Sequence, residues 1–515
     1  MSARVSGRVV DAVAFAAVAV LMLSMCAALT SHFVLDVDDV NLALAIEHFD
    51  VRMHQAHPPG YLGYVLLLRG VHRLVAMLGG GGFALVDVAR WTARGFSLVT
   101  IWMSARAARA LGGDDTRARL AALLVAANPI VLYYAVDGQT HAAEAAMAAA
   151  LLWALADRRR PWLVGLLVAA GASFRPTYLV LAGPAVLWAY FGQWRRLAVV
   201  AAIAAAGTLA WLLPSVRLTG GWAAYRAAND ALVGELIGRA SLLSATKNAH
   251  NVALNLRDTL AWALIALFPL VVVRRAVNRR ALALGAAMVL PALVFYAVVL
   301  CAEAGYLAGL VAPAAVLAAL GARRPALGCV IAVAELAFFL GAPQEIGGTF
   351  MLPDVQEIVS RDVRAATLFD ALHRDLPADA RVLVISDFPD LTAMRQQPIV
   401  RPATDVLFVH DKTWFPAGGE SWLSYATAHG WWAAPPIVLR GDGNGDPRVL
   451  VAKQPFRWIV LDPRASRRLR AELQAQTRCT VAAESDTETR TAQRWPRDCF
   501  GDELRFYELA FRFTK

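Results

Sequence analysis

The feature that most constrains this chain is a series of apolar runs, each about 20 residues long. They recur from residue 9 to about residue 341 and then stop. About 20 helical residues span the hydrocarbon core of a bilayer. Composition agrees: of 515 residues 58% are hydrophobic and only 17% charged, where soluble domains carry roughly 25%. The net charge of +10 does not point to nucleic acid, because the arginines gather between apolar runs, as topology signals do. Arg4 and Arg8 precede the run 9–30, which exceeds the roughly 7–15 residues of a signal-peptide core. Met25 stands where a lipoprotein cleavage site before Cys26 needs a small residue. The run is read as a retained first helix.

Basic loops mark the cytoplasmic side. The run 61–78 is interrupted by Arg69, His72 and Arg73 and followed by glycines at 79–82. If it crossed, the helix after it would deliver Arg106, Arg109, Arg117 and Arg119 outside. It is therefore placed in the interface as a juxtamembrane helix, and 88–110 runs inward. The runs 120–136, 162–174, 197–213, 282–301 and 327–341 then lead out. Those at 141–156, 178–191, 260–273 and 306–320 return, and a long outer loop covers 214–257. Every strongly basic turn (Arg158–Arg160, Arg195 and Arg196, Arg274 to Arg280, Arg323 and Arg324) is then inside. This reading gives about eleven transmembrane helices plus juxtamembrane helices.

The fold class expected is an α-helical polytopic membrane protein, residues 1–344, with an extracytoplasmic α/β domain, residues 345–515. In that tail, 381–386, 437–440, 449–452 and 458–461 read as strands, and 355–372 and 464–476 have helical spacing. Cys479 and Cys499 can form a disulfide in an extracytoplasmic compartment. Cys26, Cys301 and Cys329 are most simply small buried hydrophobes. The glycine-flanked acids at 442–446 read as a loop rather than a calcium site. No internal repeat is visible, which weakens a transporter built from inverted repeats.

Chemistry-bearing residues gather at the outer helix ends. Leu35-Asp36-Val37-Asp38-Asp39 follows the first run, and His48, Arg52, His54 and His57 come next. A carboxylate in hydrocarbon is costly, so these acids belong at the rim or in a wet cavity, where the bases can hold an anion beside them. Arg90 and Arg94 start the second crossing. Tyr133, Tyr134, Asp137, His141 and Glu144 cap the next hairpin, and His141 and Glu144, three apart, share a helix face. Arg175 stands at a later outer end, and Glu303 and Tyr306 at another. Charges confined to one leaflet define one site open to one side, whereas transporters place binding residues nearer the midplane. Simpler roles exist for each. Asp39 can cap a helix, His57 can serve a turn, the arginines can anchor in headgroups, and His141 can satisfy Glu144. Trp211, Trp222 and Tyr178 suit interface anchors.

The acids after the first helix, His57-Pro58-Pro59-Gly60-Tyr61, Arg94 with Ser97, and Asn128-Pro129 before an outer Tyr/Asp/Glu cluster together resemble the GT-C glycosyltransferases. The resemblance is to the protein O-mannosyltransferase and lipid A aminoarabinose transferase group, over most of residues 1–344. It implies transfer of a sugar from a polyprenyl phosphate carrier to a lipid, glycan or protein acceptor outside the bacterial cytoplasmic membrane, on its periplasmic face. The family's essential acid pair best matches Asp38-Asp39, with Asp for Glu and Leu42 where an aromatic is usual, so Asp36 remains a rival. Its Lys-Pro-Pro or His-Pro-Pro turn matches His57-Pro58-Pro59, and Glu303 departs from an Arg before Tyr306. On this reading Asp38 is the general base. His57, Arg94 and Arg175 neutralise the leaving phosphate, and Tyr61, Tyr134, Asp137, His141, Glu144 and Tyr306 line the substrate pocket. Partners are the polyprenyl-phosphate sugar, the acceptor and the bilayer, with no nucleic acid. The resemblance implies no certain cofactor. Asp36-Val37-Asp38 resembles a metal-binding Asp-x-Asp, but nucleotide sugars are not expected outside, so a divalent cation is not favoured. The competing classes are a polyprenyl-linked glycan transporter, which needs polar residues deep in several helices, and a non-catalytic subunit presenting the tail, for which the acids would be dispensable.

Overall fold

The structure is a computed structural model. It describes residues 2–31, 33–34, 36–53, 55–79, 84–157, 160–232, 237–341, 353–373, 381–386, 405–410, 439–440, 449–452, 457–461, 467–479, 493–506 and 509–512. His54, Arg158, Arg159, the loop at 442–446 and the first half of the expected strand 437–440 lie outside these residues. The chain divides into two compact units, Met1–Thr30 with Leu42–Val359, and Ser31–Asn41 with Ser360–Lys515.

The first unit is helical. Its elements are α1 Ser2–Ala28, α2 Val37–Glu47 (whose first turns belong to the second unit), α3 Leu62–Met77, α4 Leu85–Ala110, α5 Asp115–Ala127, α6 Pro129–Val136 and α7 His141–Asp157. They continue with α8 Pro161–Phe174, α9 Tyr178–Ala189, α10 Trp194–Leu218, α11 Trp222–Leu232, α12 Ala249–Leu267, α13 Arg279–Val298, α14 Ala308–Gly321, α15 Pro325–Gly341 and the start of α16, Val355–His373. Among the described residues, Trp194–Leu218, Ala249–Val272, Arg279–Val298 and Ala304–Gly321 are each long and apolar enough to cross a membrane. The bent pair Asp115–Ala127 and Pro129–Val136 makes a further broken span, and shorter apolar helices such as His141–Ala156 and Pro325–Gly341 fill out the bundle. α3 is not among these apolar helices. The chain is a polytopic membrane protein. Every residue of α14 is buried; its alanines and glycines let neighbouring backbones approach closely, which is how helices pack without a hydrophobic drive between them. Outward faces are apolar instead, with Leu264 73%, Val333 67% and Val294 62% exposed, as lipid-facing surfaces require.

Three details differ from the sequence reading, the smallest being that Cys329, expected to be buried, is exposed. The run 120–136 is not one helix but two, bent by 57° at Asn128-Pro129. Proline lacks an N–H and pushes the residue before it into an extended conformation, and Asn128 is extended at φ −67°, ψ 127°. Its Oδ1 accepts the Ile130 N–H at 3.2 Å and caps α6. The expected loop 214–257 also holds helix: α10 runs on to Leu218, and α11 buries Tyr225, whose hydroxyl donates to the Pro59 carbonyl at 2.8 Å.

The second unit carries two four-stranded sheets. β1 Arg381–Ser386 lies parallel to both β2 Asp405–His410 and β5 Trp458–Leu461, and β5 pairs antiparallel with β6 Gln493–Pro496. The other sheet has the order β3-β4-β8-β7, from Leu439–Arg440, Val449–Ala452, Leu509–Arg512 and Glu503–Phe506. Parallel pairing demands covered faces, and α17 Arg467–Gln474 buries Leu469 and Leu473. Cys479 and Cys499 are disulfide-bonded across a separation of 20 residues. Closing a loop of that size is worth about 3 kcal/mol in the unfolded-chain entropy account. Replacing both cysteines by serine should lower the unfolding temperature of this unit without affecting the helical bundle. Reductant titration followed by differential scanning calorimetry checks this, and an unchanged unfolding temperature would count against it.

Candidate active site

Within the first unit, polar residues from distant segments meet at the helix ends remote from the arginine-rich turns. Pro176 biases Arg175 toward the extended conformation it adopts, φ −155°, ψ 108°, and so ends α8 there. Phe174 packs edge-on against Phe96 at 5.6 Å and Tyr64 at 6.0 Å, which fixes the segment that presents Arg175. The Arg175 Nε lies 3.1 Å from Glu144 Oε2 with both side chains buried, and its Nη1 donates to Thr140 Oγ1 at 3.0 Å. The guanidinium lies 4.4 Å from the Tyr306 ring centre and 6.0 Å from that of Tyr61, so aromatic faces add to its neutralisation.

Beside this pair stands a second one. His141 Nε2 is 2.6 Å from Glu303 Oε1, and Glu303 Oε2 accepts from the Tyr134 hydroxyl at 3.1 Å and from Gln139 Nε2 at 3.4 Å. Burial works against ionised Glu303. His141, by charge and hydrogen bond, with Arg175 and the Tyr134 hydroxyl, outweighs that and holds the carboxyl well below its ordinary range. The pair therefore contributes its full stability above the usual carboxyl pKa and loses it as pH falls into the acid range. The rings of Tyr134 and Tyr306 flank His141 at 4.6 and 5.6 Å. Asp137 is occupied locally, accepting from the Gly138 N–H at 3.0 Å and Gln139 Nε2 at 3.1 Å, so it shapes the turn that delivers His141. The Glu303 segment is set by Asn255, whose Oδ1 accepts the Cys301 N–H at 2.6 Å. A Cβ on Gly305 would overlap the His141 ring. Gly305→Ala should displace that ring, costing about 1–3 kcal/mol as overpacking does. A lowered unfolding temperature checks this, and an unchanged one would show that the ring can give way.

Tyr61 reaches this cluster through a special backbone. Gly60 has φ +108°, and its Cβ would stand 2.8 Å from Val51 Cγ2. Tyr61 itself is left-handed at φ 43°, ψ 39°. A non-glycine residue there costs of order 1–3 kcal/mol and persists only where the surroundings impose it. The His57 ring lies 6.4 Å from that of Tyr61. Arg94 sits elsewhere: its Nη2 donates to Thr30 Oγ1 at 2.5 Å and toward the Cys26 carbonyl at 3.4 Å, tying α4 to the end of α1. Arg52 is held by Asp50 at 2.6 Å.

The acids belong to the second unit by contact. Asp36 Oδ1 accepts the Asp38 N–H at 2.9 Å, and Asp36 Oδ2 pairs with Arg361 at 3.3 Å. Asp38 accepts one long hydrogen bond, 3.5 Å, from Asn41 Nδ2. Asp39 is 1% exposed. So the structure joins Arg175, Glu144, His141, Tyr134, Tyr306 and Tyr61, and gives Arg94 a different engagement. Expected to satisfy each other, His141 and Glu144 instead take Glu303 and Arg175. Gln139 and Thr140 were missed as members; Glu303, named among the outer polar residues but given no role, carried a signal, being a charge where the resemblance calls for the opposite sign.

The helical bundle, the α/β unit and this buried ionic cluster make the chain a polytopic membrane protein with a C-terminal α/β unit. The particular fold is that of two solved structures of ArnT from Cupriavidus metallidurans. The one bound to undecaprenyl phosphate is 16% identical, with a TM-score of 0.55 over 95% of this chain and 99% of that one. The apo state is 15% identical, with a TM-score of 0.57 over 95% and 98%. No protein-family model matches the sequence, and no curated protein matches it either.

Proposed function

We propose that this protein is a membrane glycosyltransferase that moves a sugar from a polyprenyl-phosphate carrier to a lipid, glycan or protein acceptor outside the bacterial cytoplasmic membrane. The observation that carries the reading is the buried Arg175–Glu144 pair roofed by Tyr306 and Tyr61, in a fold shared with an ArnT crystallised with undecaprenyl phosphate. A buried guanidinium is costly unless it serves an anion. Arg175, whose guanidinium faces the Tyr306 ring, is the group that meets the carrier phosphate, with His57, beside Tyr61, as a second cation. Arg94, already bonded to Thr30 and Cys26, is the weaker candidate.

The reaction is a direct displacement. The acceptor oxygen forms a bond to the anomeric carbon while the bond from that carbon to the phosphate oxygen breaks, and the carrier phosphate leaves with the electron pair. Asp38 takes the acceptor proton. Of the three acids it is favoured because Asp36 is engaged by Arg361 and Asp39 is almost fully buried. Arg175 stabilises the charge developing on the phosphate. Tyr134, His141, Glu144 and Asp137 shape the pocket, with the His141–Glu303 pair offering hydroxyl-binding groups. Arginine-rich turns on one side support a site facing outward.

The test is transfer from radiolabelled polyprenyl-phosphate sugars to endogenous acceptors in membranes containing the protein. Label appearing in a lipid, glycan or protein fraction only when the protein is present supports the reading. Purified protein that binds polyprenyl phosphate no better than an alkyl control would overturn it.

A further inference from the structure

The cluster described above does not use the buried carboxyl of Glu335. Glu335 lies in the middle of α15, 3% exposed, about 15 Å along the helix from Pro325 at 1.5 Å per residue. Its surroundings follow from two prolines. Pro269 has no N–H to give the carbonyl four residues back, Ile265, and Asn128 Nδ2 donates to that carbonyl at 3.1 Å. The second proton of the same amide goes to Glu335 Oε1 at 2.8 Å. Asn128, freed from helix by Pro129, thus joins three segments and has no further proton to offer. Among the described residues, Glu335 Oε2 remains buried without a hydrogen-bond partner.

Beside it is a cavity of about 290 Å³ lined by Glu335, Pro129, Leu264, Ile265, Phe268, Ala334 and Phe338. Glu335 is the only polar side chain among these. Leu264 is 73% and Phe268 43% exposed, so the cavity opens sideways, through faces that meet hydrocarbon. A water molecule would need two to four polar partners, and among the side chains of this wall Glu335 is the one that offers any. The missing partner must therefore bring its own apolar body. A carbonyl compound could bond only protonated Glu335 and an ammonium only the ionised form. A hydroxyl both donates and accepts, and so serves either state.

We propose that this cavity is a lateral, mid-membrane binding site for long-chain alcohols, the hydroxyl bonded to Glu335 Oε2 and the chain laid along Leu264 and Phe268. The proposal does not rest on the transferase reading, since binding here can be measured in a protein that transfers nothing.

The probe is a photoreactive octanol carrying a diazirine, applied to the full-length protein in lipid nanodiscs, with adducts mapped by peptide mass spectrometry. Adducts should concentrate on the cavity residues. Excess octanol should compete and octane should not. Glu335→Leu should lose labelling by about tenfold, the factor expected from one hydrogen bond, whereas Glu335→Gln should keep it. Ala334→Trp, on the exposed rim, closes the mouth without touching the Asn128 bond and should also lose labelling; it decides the matter if Glu335→Leu does not fold. Adducts spread evenly over lipid-facing helices, octane competing as well as octanol, or undiminished labelling of Ala334→Trp would each overturn the proposal.

Discussion

Asp38→Asn should reduce sugar transfer by about 10² to 10⁴-fold, the range that a positioned general base contributes, while leaving the protein folded. The amide keeps the size of the carboxylate and can still meet Asn41 at its 3.5 Å spacing, so lost packing is not expected to explain the effect. The comparison is with Asp36→Asn. That change weakens an ion pair with Arg361, which joins the acid stretch to α16. Its cost should appear mainly in stability, as a partly exposed pair worth about 1 kcal/mol or less, with transfer reduced only modestly. The discriminating measurement is the transfer rate of the two variants at matched protein level, beside the unfolding temperature of each. Equal rates in both variants and wild type would remove the acids from the mechanism. A reversed order would move the base to Asp36.

How much of this was legible beforehand depends on how far apart the partners are in sequence. Spans were readable because hydropathy is a local sum, and Arg69, His72 and Arg73 are what keep α3 out of the set of apolar helices. The break at Asn128-Pro129 was not, since residues 120–136 remain apolar across it; what stabilises the bend is the amide's reach to Ile265 and Glu335, 137 and 207 residues away. The same applies to the site. His141 and Glu144 were correctly placed on one face, but spacing alone suggested they would bond each other. Each finds its partner on another segment, Glu303 at a separation of 162 and Arg175, and no local pattern encodes that. In the second unit the strand 381–386 was readable as an unbroken β-branched and apolar run. β2 and β6 to β8 were not read; Gln493–Pro496 and Glu503–Phe506 each mix polar or charged residues with apolar ones over only four residues.

Arg175→Ala should have the largest combined effect, and the reason lies in burial. With the arginine gone, Glu144 is left ionised and unpaired inside the bundle, a situation that costs about 3–5 kcal/mol, unless it takes up a proton. Thr140 also loses its donor at 3.0 Å. Transfer should fall by about 10² to 10³-fold, as when a preorganised donor to developing charge is removed. Arg175→Lys should not rescue it, because an ammonium cannot hold Glu144, Thr140 and a phosphate in one plane at once. Loss of activity in these variants alone would not separate chemistry from folding. The double variant Arg175→Met with Glu144→Leu does. Replacing both members of a buried ion pair by apolar residues of similar volume is often neutral or stabilising, so the double variant should recover most of the unfolding temperature that Arg175→Ala loses. Its transfer should remain as low as in the single variant, because the cation that meets the phosphate is still missing. A double variant that regains both stability and transfer would make the pair a structural device, and the phosphate would have to be held by other groups of the cluster, with His57 the first to examine.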